Sequence, residues 1–103
     1  MRTLEELIRT VDIALDDDDW CEIEDIVIES IRHMPDFAND EYKQWNINDI
    51  KDLLQDIGEK VYRKWGVREL KNIHLSVECE LGDYAARYLA VFWNRYGAYE
   101  WSN

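Results

Sequence analysis

The side chains best able to do chemistry in this sequence are carboxylates, and they are concentrated in one stretch. Residues 12–29 read DIALDDDDWCEIEDIVIE and contain nine Asp and Glu but no Lys or Arg. The nearest basic residues, Arg9 and Arg32, lie beyond the two ends of this stretch. Carboxylates at such density can hold a metal ion, transfer protons in a reaction, or attract a positively charged partner. Spacing and surroundings decide among these uses.

The spacing of the acids does not match a known metal loop. An EF-hand loop needs oxygen ligands at positions 1, 3 and 5, glycine at position 6 and glutamate at position 12. Counted from Asp16, those last three positions are occupied by Trp20, Cys21 and Val27. The two Cys and two His residues show no zinc-ligand spacing such as C-x₂-C or H-x₃-H. We therefore expect no specific metal site and no cofactor, although loose cation binding by the acids stays open.

Catalytic motifs are also missing from the sequence. No serine lies in a G-x-S-x-G turn, and there is no phosphate-binding loop. Paired carboxylates in glycoside hydrolysis need a cleft and a general acid with a raised pKa. The acids here are numerous and belong to polar stretches, so we expect them to be exposed and the protein not to be an enzyme.

Charge is distributed unevenly along the chain. The 103 residues carry a net charge of −11. Residues 1–60 contain 18 Asp and Glu against 6 Lys and Arg, whereas residues 61–103 contain 5 against 6. A domain this acidic is repelled by nucleic acid and by anionic membranes. The asymmetry instead favours a basic partner, such as the Lys and Arg tracks with which proteins bind DNA.

The candidate contact residues belong to two predicted helices, the turn between helices and a connector. The acids are Asp16, Asp17, Asp18, Asp19, Glu22, Asp25, Glu29, Asp49, Asp52, Asp56 and Glu59, and the candidate apolar anchors are Tyr42 and Trp45. The two aromatic residues have an alternative role, which we favour, as a cover for the edge of the core. The acids too have an alternative role as a solvated face that only keeps the domain soluble.

Three helices are predicted in the first 66 residues. Thr3 and Glu6 form a capping-box pattern at the start of a helix over 3–15. A second helix over 20–33 begins after Asp19 and ends before Pro35, and a third over 48–65 begins at Asn48. Apolar residues recur at helical spacing in all three. Residues 35–47 form a connector.

The spacing of apolar residues changes near residue 72 from helical to alternating, which predicts strands. Residues 72–81, NIHLSVECEL, alternate strictly between polar and apolar types. Gly82 and Asp83 suit a two-residue hairpin turn, residues 84–93 a second strand or alternatively a helix, and residues 98–101 a third strand. The preferred register pairs Glu78 with Arg87. We therefore predict a single α+β domain, with an acidic helical part (1–66) packed on a three-stranded antiparallel β-meander (67–103).

In size, net charge, aromatic content and lack of catalytic motifs, the chain resembles the small acidic phage-encoded inhibitors, the anti-restriction and anti-CRISPR proteins that mimic DNA. This resemblance is one of general character and assigns no role to any single residue. It implies an inhibitor of the DNA-binding channel of a bacterial defence nuclease or CRISPR complex. The start of the sequence lacks a signal-peptide pattern and no apolar run approaches membrane-spanning length, so we expect a cytoplasmic protein. Two alternatives are an immunity protein that neutralises a cationic nuclease toxin, and a non-catalytic acidic adaptor.

Overall fold

The computed structural model describes residues 2–101, and every regular element within that range is helical. Five α-helices follow one another along the chain. They are α1 (Leu4–Asp16), α2 (Trp20–Arg32), α3 (Ile47–Trp65), α4 (Val67–Leu81) and α5 (Asp83–Phe92). Two short 3₁₀ turns, Asn94–Tyr96 and Ala98–Glu100, close the described part.

The first three helices begin close to where side-chain caps predict. The capping box at the start of α1 is confirmed, because Thr3 Oγ1 accepts a hydrogen bond from the Glu6 amide and the Glu6 carboxylate accepts one from the Thr3 amide. Asp19 caps α2 by accepting a hydrogen bond from the Glu22 amide. The cap predicted for α3, Asn48, is wrong by two residues: the cap is Asn46, whose side chain accepts a hydrogen bond from the amide of Asn48.

The predicted β-meander is wrong, since residues 67–101 contain helices and no strand. In α4 the buried residues are Leu70, Ile73, His74 and Val77, which recur at helical rather than alternating spacing. Leu75 and Cys79, which a strand would place beside Val77, are exposed. Over a run this short, the apolar residues fit both the alternating spacing of a strand and the spacing of a helix. Packing against α2 and α3 selects the helix.

Gly82 joins two helices and does not form a hairpin turn. Its backbone has φ 99° and ψ 173°, a conformation open essentially only to glycine, and α5 begins at the next residue. The helical alternative for residues 84–93 is therefore correct and the strand is wrong. Arg87 pairs with Asp83 one helical turn away at 2.8 Å, not with Glu78. Residues 98–101, predicted as the third strand, instead contain the second 3₁₀ turn.

His74, one of the polar positions of the alternating segment, lies inside the protein. It is 3% exposed, and its Nε2 lies 3.1 Å from the carbonyl oxygen of Ala86. Because that partner is an acceptor, Nε2 carries a proton and donates it. Burial lowers the pKa of His74, which favours the neutral ring. The hydrogen bond ties α4 to α5.

The helices pack around one buried core to which all five contribute. α2 and α3 form the centre, α1 contacts both of them, and α4 contacts both and also α5. Trp93 is fully buried beside α3 and donates from Nε1 to the carbonyl oxygen of Leu54 at 2.8 Å. Within residues 2–101, the helices are too short or too polar for any of them to span a lipid bilayer. This arrangement leaves the polar faces of α1, α2 and α3 to present the acidic residues.

Candidate acidic interface

The four consecutive aspartates, here called the aspartate turn (Asp16–Asp19), link α1 to α2 and are all exposed. Two of them have structural contacts. Asp18 adopts a left-handed backbone (φ 54°) and pairs with Lys64 of α3 at 2.9 Å, and Asp19 is the cap of α2. Asp16 and Asp17 form no ion pair with any residue in the 2–101 range. They are therefore the members of the turn most available to a partner.

The acids on α2, here called the α2 row (Glu22, Asp25 and Glu29), are partly satisfied within the chain. Arg2 forms ion pairs with Glu22 and, at 2.9 Å, with Glu29. Burial opposes the charge of Arg2, but its hydrogen bonds to Glu29 and Glu22 raise its pKa. Asp25 is exposed at the surface, and partial desolvation followed by the nearby Glu22 and Glu24 raises its pKa. The α2 row thus offers less free negative charge than its composition indicates.

Glu24 lies on the side of α2 that faces the protein, where an acid is unexpected. Its carboxylate accepts a hydrogen bond from the hydroxyl of Ser76 on α4. This contact satisfies a partly buried carboxylate at the α2–α4 junction. No local pattern predicts this contact, because Ser76 belongs to the segment that alternation assigns to a strand.

The acids on α3, here called the α3 row (Asp49, Asp52, Asp56 and Glu59), divide into a paired and an unpaired half. Lys60 contacts Asp56 at 3.0 Å, and Glu59 pairs with Arg63 at 2.7 Å. Asp49 and Asp52, in the first two turns of the helix, are exposed and have no ion-pair partner in the described part of the chain. The unpaired half lies at the helix N-terminus, where the helix dipole stabilises negative charge.

Lys60 and Lys64 bring the aspartate turn and the α3 row together. Lys60 reaches from α3 to Asp12 of α1 at 2.7 Å, and Lys64 contacts both the carbonyl oxygen of Leu15 and the side chain of Asp18. The hydrogen bond to Asp12 raises the pKa of Lys60. Partial burial lowers this pKa by less, and a hydrogen bond to Asp56 adds to the rise. The α2 row is held separately by Arg2. The aspartate turn is therefore joined to the C-terminal end of α3, whereas Asp49 and Asp52 lie at the other end of that helix, about 20 Å away at ~1.5 Å per residue.

Tyr42 and Trp45, the candidate apolar anchors, pack against the end of α2. The Trp45 ring stacks on His33 with a centroid distance of 3.5 Å and an angle of 3° between planes. The guanidinium carbon of Arg32 lies 5.5 Å from the centroid of the Tyr42 ring. Both aromatic side chains are partly buried. They contribute to the wall around the connector, and Trp45 also lines a shallow pocket of about 600 Å³ with Arg2.

An aromatic and acidic cluster on another surface was not predicted from the sequence. Asp36 Oδ2 accepts hydrogen bonds from the hydroxyls of Tyr84 (2.7 Å) and Tyr88 (2.9 Å), and Phe37 lies beside both rings. The hydrogen bond from Tyr84, then that from Tyr88, lowers the pKa of Asp36. The two tyrosines meet because they lie one turn apart on α5, so their contact was hidden by the strand prediction.

Comparisons with protein-family models, with curated proteins and with solved structures found no match to this chain. Across residues 2–101, no group of three or more His, Cys, Asp or Glu side chains is arranged to hold a metal ion. What the interface can do follows from its own geometry. It presents exposed carboxylates on helices that a buried core holds in place.

Proposed function

We propose that this protein is an acidic inhibitor that binds the basic nucleic-acid-binding surface of another protein and acts there as a DNA mimic. The target class is a bacterial defence nuclease or CRISPR complex, encountered in the cytoplasm of the host cell. The observation that carries the proposal is the set of exposed carboxylates at the two ends of the α1–α3 pair that lack an ion pair with any described residue. These are Asp16, Asp17, Asp49 and Asp52.

The spacing of these charges suits a surface that normally holds a nucleic acid. With a helical rise of about 1.5 Å per residue, the two unpaired carboxylates of α3, those of Asp49 and Asp52, lie ~4.5 Å apart along the helix axis. Each strand of duplex DNA carries one phosphate per ~3.4 Å of axis. A Lys and Arg track built for phosphates therefore meets charge of comparable density on α3. Association driven by such charge is fast and weakens as salt rises.

The test is capture from a bacterial lysate on the immobilised protein, with elution by a salt gradient and with excess duplex DNA as competitor. We expect a nucleic-acid-binding protein to be retained at low salt and released by DNA. The Asp16→Asn, Asp17→Asn, Asp49→Asn, Asp52→Asn variant should lose most of this capture, because the interaction depends on those four charges.

A control variant with the same change in net charge separates a located site from general acidity. Asp40→Asn, Glu41→Gln, Glu80→Gln and Glu100→Gln change four exposed acids that form no ion pair within the described range. We expect this control to retain capture. Equal loss in both variants would contradict a located interface, and a captured protein that DNA cannot displace would contradict mimicry.

An immunity protein with one cationic toxin as its partner is the second candidate, and the cluster of Asp36, Tyr84 and Tyr88 favours it. Tyr84 is 55% exposed, and tyrosine is enriched among the residues that dominate binding energy at protein interfaces. Binding through this cluster would resist salt and would survive the four Asp→Asn changes. Loss of capture on Tyr84→Ala with no effect of DNA would identify this alternative.

A further inference from the structure

The line of contact between α1 and α3, here called the seam, is bridged by lysine side chains along one half and is unbridged, or open, along the other. In the closed half, Lys60 bridges Asp12 and Asp56, while Lys64 lies against the C-terminal end of α1. In the open half, the first turns of the two helices leave a groove of about 290 Å³. The α1/α3 groove is lined by Leu4, Ile8, Asp49, Asp52, Leu53 and Asp56.

The α1/α3 groove combines an apolar floor with acidic walls. Ile8 is 46% exposed although it belongs to the helix face next to the core, whereas Leu53 beneath it is 4% exposed. No Lys or Arg of the described chain lines the groove. Its volume lies at the small end of ligand pockets, which suits one or two side chains better than a free small molecule.

We propose that the α1/α3 groove docks an amphipathic cationic helix of the partner protein. An apolar side chain of that helix enters between Leu4, Ile8 and Leu53, and its Lys or Arg side chains reach Asp49 and Asp52. Charge complementarity selects this occupant, because Asp49 and Asp52 on the groove wall have no ion-pair partner in the described range, whereas Asp56 is already held by Lys60. The inference rests on the proposed function, since it specifies which kind of basic segment the acidic surface receives.

In the closed half of the same seam, the chain already pairs a lysine with the carboxylates of α1 and α3. There the chain's own Lys60 crosses from α3 to α1 and places its ammonium group between two carboxylates. Lysine suits this position because its aliphatic stem covers apolar surface while the charged end reaches polar groups. Helices that bind in grooves use the same pattern, with apolar anchors one turn apart and charges at the rim.

The test uses two synthetic 15-residue peptides of identical composition, containing only Leu, Lys and Ala. One peptide places Leu at helical spacing on one face, and the other is a scramble with the same net charge. Binding to the full chain is measured by calorimetry, and the site by NMR shifts of the Leu and Ile methyl groups. We expect the amphipathic peptide to bind about tenfold more tightly than the scramble, since one apolar side chain is buried, and to shift the methyls of Ile8 and Leu53.

Matched variants on α1 localise the effect. Ile8→Gln should remove the tenfold preference, whereas Ile13→Gln, at an isoleucine that is 60% exposed outside the groove, should keep it. Equal affinity for the two peptides, or shifts centred away from Ile8 and Leu53, would overturn the inference. If the amphipathic peptide binds in the groove but no lysate protein is displaced by DNA, the docking inference is supported and DNA mimicry is refuted. If DNA displaces a captured protein but the two peptides bind equally well, mimicry is supported as binding by charge alone and the docking inference is refuted.

Discussion

Gly58 is the residue where a single added methyl group should disturb the core most directly. A Cβ atom at this position would lie 2.6 Å from Nε1 and 2.9 Å from Cδ1 of Trp93. Trp93 is fully buried and its Nε1 is held by the carbonyl oxygen of Leu54, so the ring has little room to retreat. Glycine on α3 therefore serves close packing, and no backbone conformation requires it.

We expect Gly58→Ala to lower the free energy of unfolding by about 1–2 kcal/mol. Overpacking a core costs about 1–3 kcal/mol, and the better helix propensity of alanine offsets up to about 1 kcal/mol of that. Urea denaturation followed by Trp fluorescence measures the change. Gln55→Ala, at an exposed position of the same helix, controls for propensity and should stay within about 0.5 kcal/mol of the parent. A Gly58→Ala variant as stable as the parent would show that Trp93 can move.

At the same scale, the sequence predicted which residues carry charge but not which of them are already paired. Exposure of the aspartate turn follows from residue type, and the structure agrees. The contacts of Arg2 with Glu22 and Glu29, and of Lys64 with Asp18, join residues far apart in sequence. Such pairs depend on how helices pack, so no local pattern could have shown that the α2 row is partly neutralised.

At the scale of elements, helices with side-chain caps were predictable and helices that begin at glycine were not. α1 and α2 are capped by Thr3 and Asp19, whose side chains accept hydrogen bonds from amides of the first turn. α4 and α5 start after Gly66 and Gly82, which have no side chain to cap a helix. With no start signal, the alternation in residues 72–81 was the strongest local pattern, and it was misleading. Tertiary packing decided the period there.

Two alanine variants in α4 distinguish the helix from a strand in solution. Leu75 is 55% exposed and Val77 is fully buried, whereas on one face of a sheet both would be buried. We expect Leu75→Ala to change the free energy of unfolding by less than about 0.5 kcal/mol and Val77→Ala to lower it by about 1–3 kcal/mol. Urea denaturation of both variants provides the comparison. Similar losses in the two would favour the sheet arrangement.

For the whole molecule, the acidic surface has a cost in stability as well as the proposed use in binding. A net charge of −11 repels itself in the compact state. Asp16 adds to this cost locally, because it is the last residue of α1 and the dipole there disfavours an anion. Asp17, Asp18 and Asp19 follow directly, so this end of the molecule concentrates repulsion that only Lys64 relieves among the described ion pairs. A surface kept at such a cost is expected where the charges serve binding.

Removing one of these charges should therefore stabilise the fold. We expect Asp16→Asn to raise the free energy of unfolding by about 0.3–1 kcal/mol at ~0.01 M ionic strength, where charges interact over ~30 Å. The gain should shrink towards zero near ~1 M, where screening reduces that range to ~3 Å. Asp12→Asn removes a carboxylate that pairs with Lys60 and should instead leave stability unchanged or lower it by up to about 1 kcal/mol. Urea denaturation across a salt series separates the two. A loss of stability in Asp16→Asn would mean that Asp16 stabilises the fold, and a gain that persists at high salt would mean that charge repulsion is not its cause.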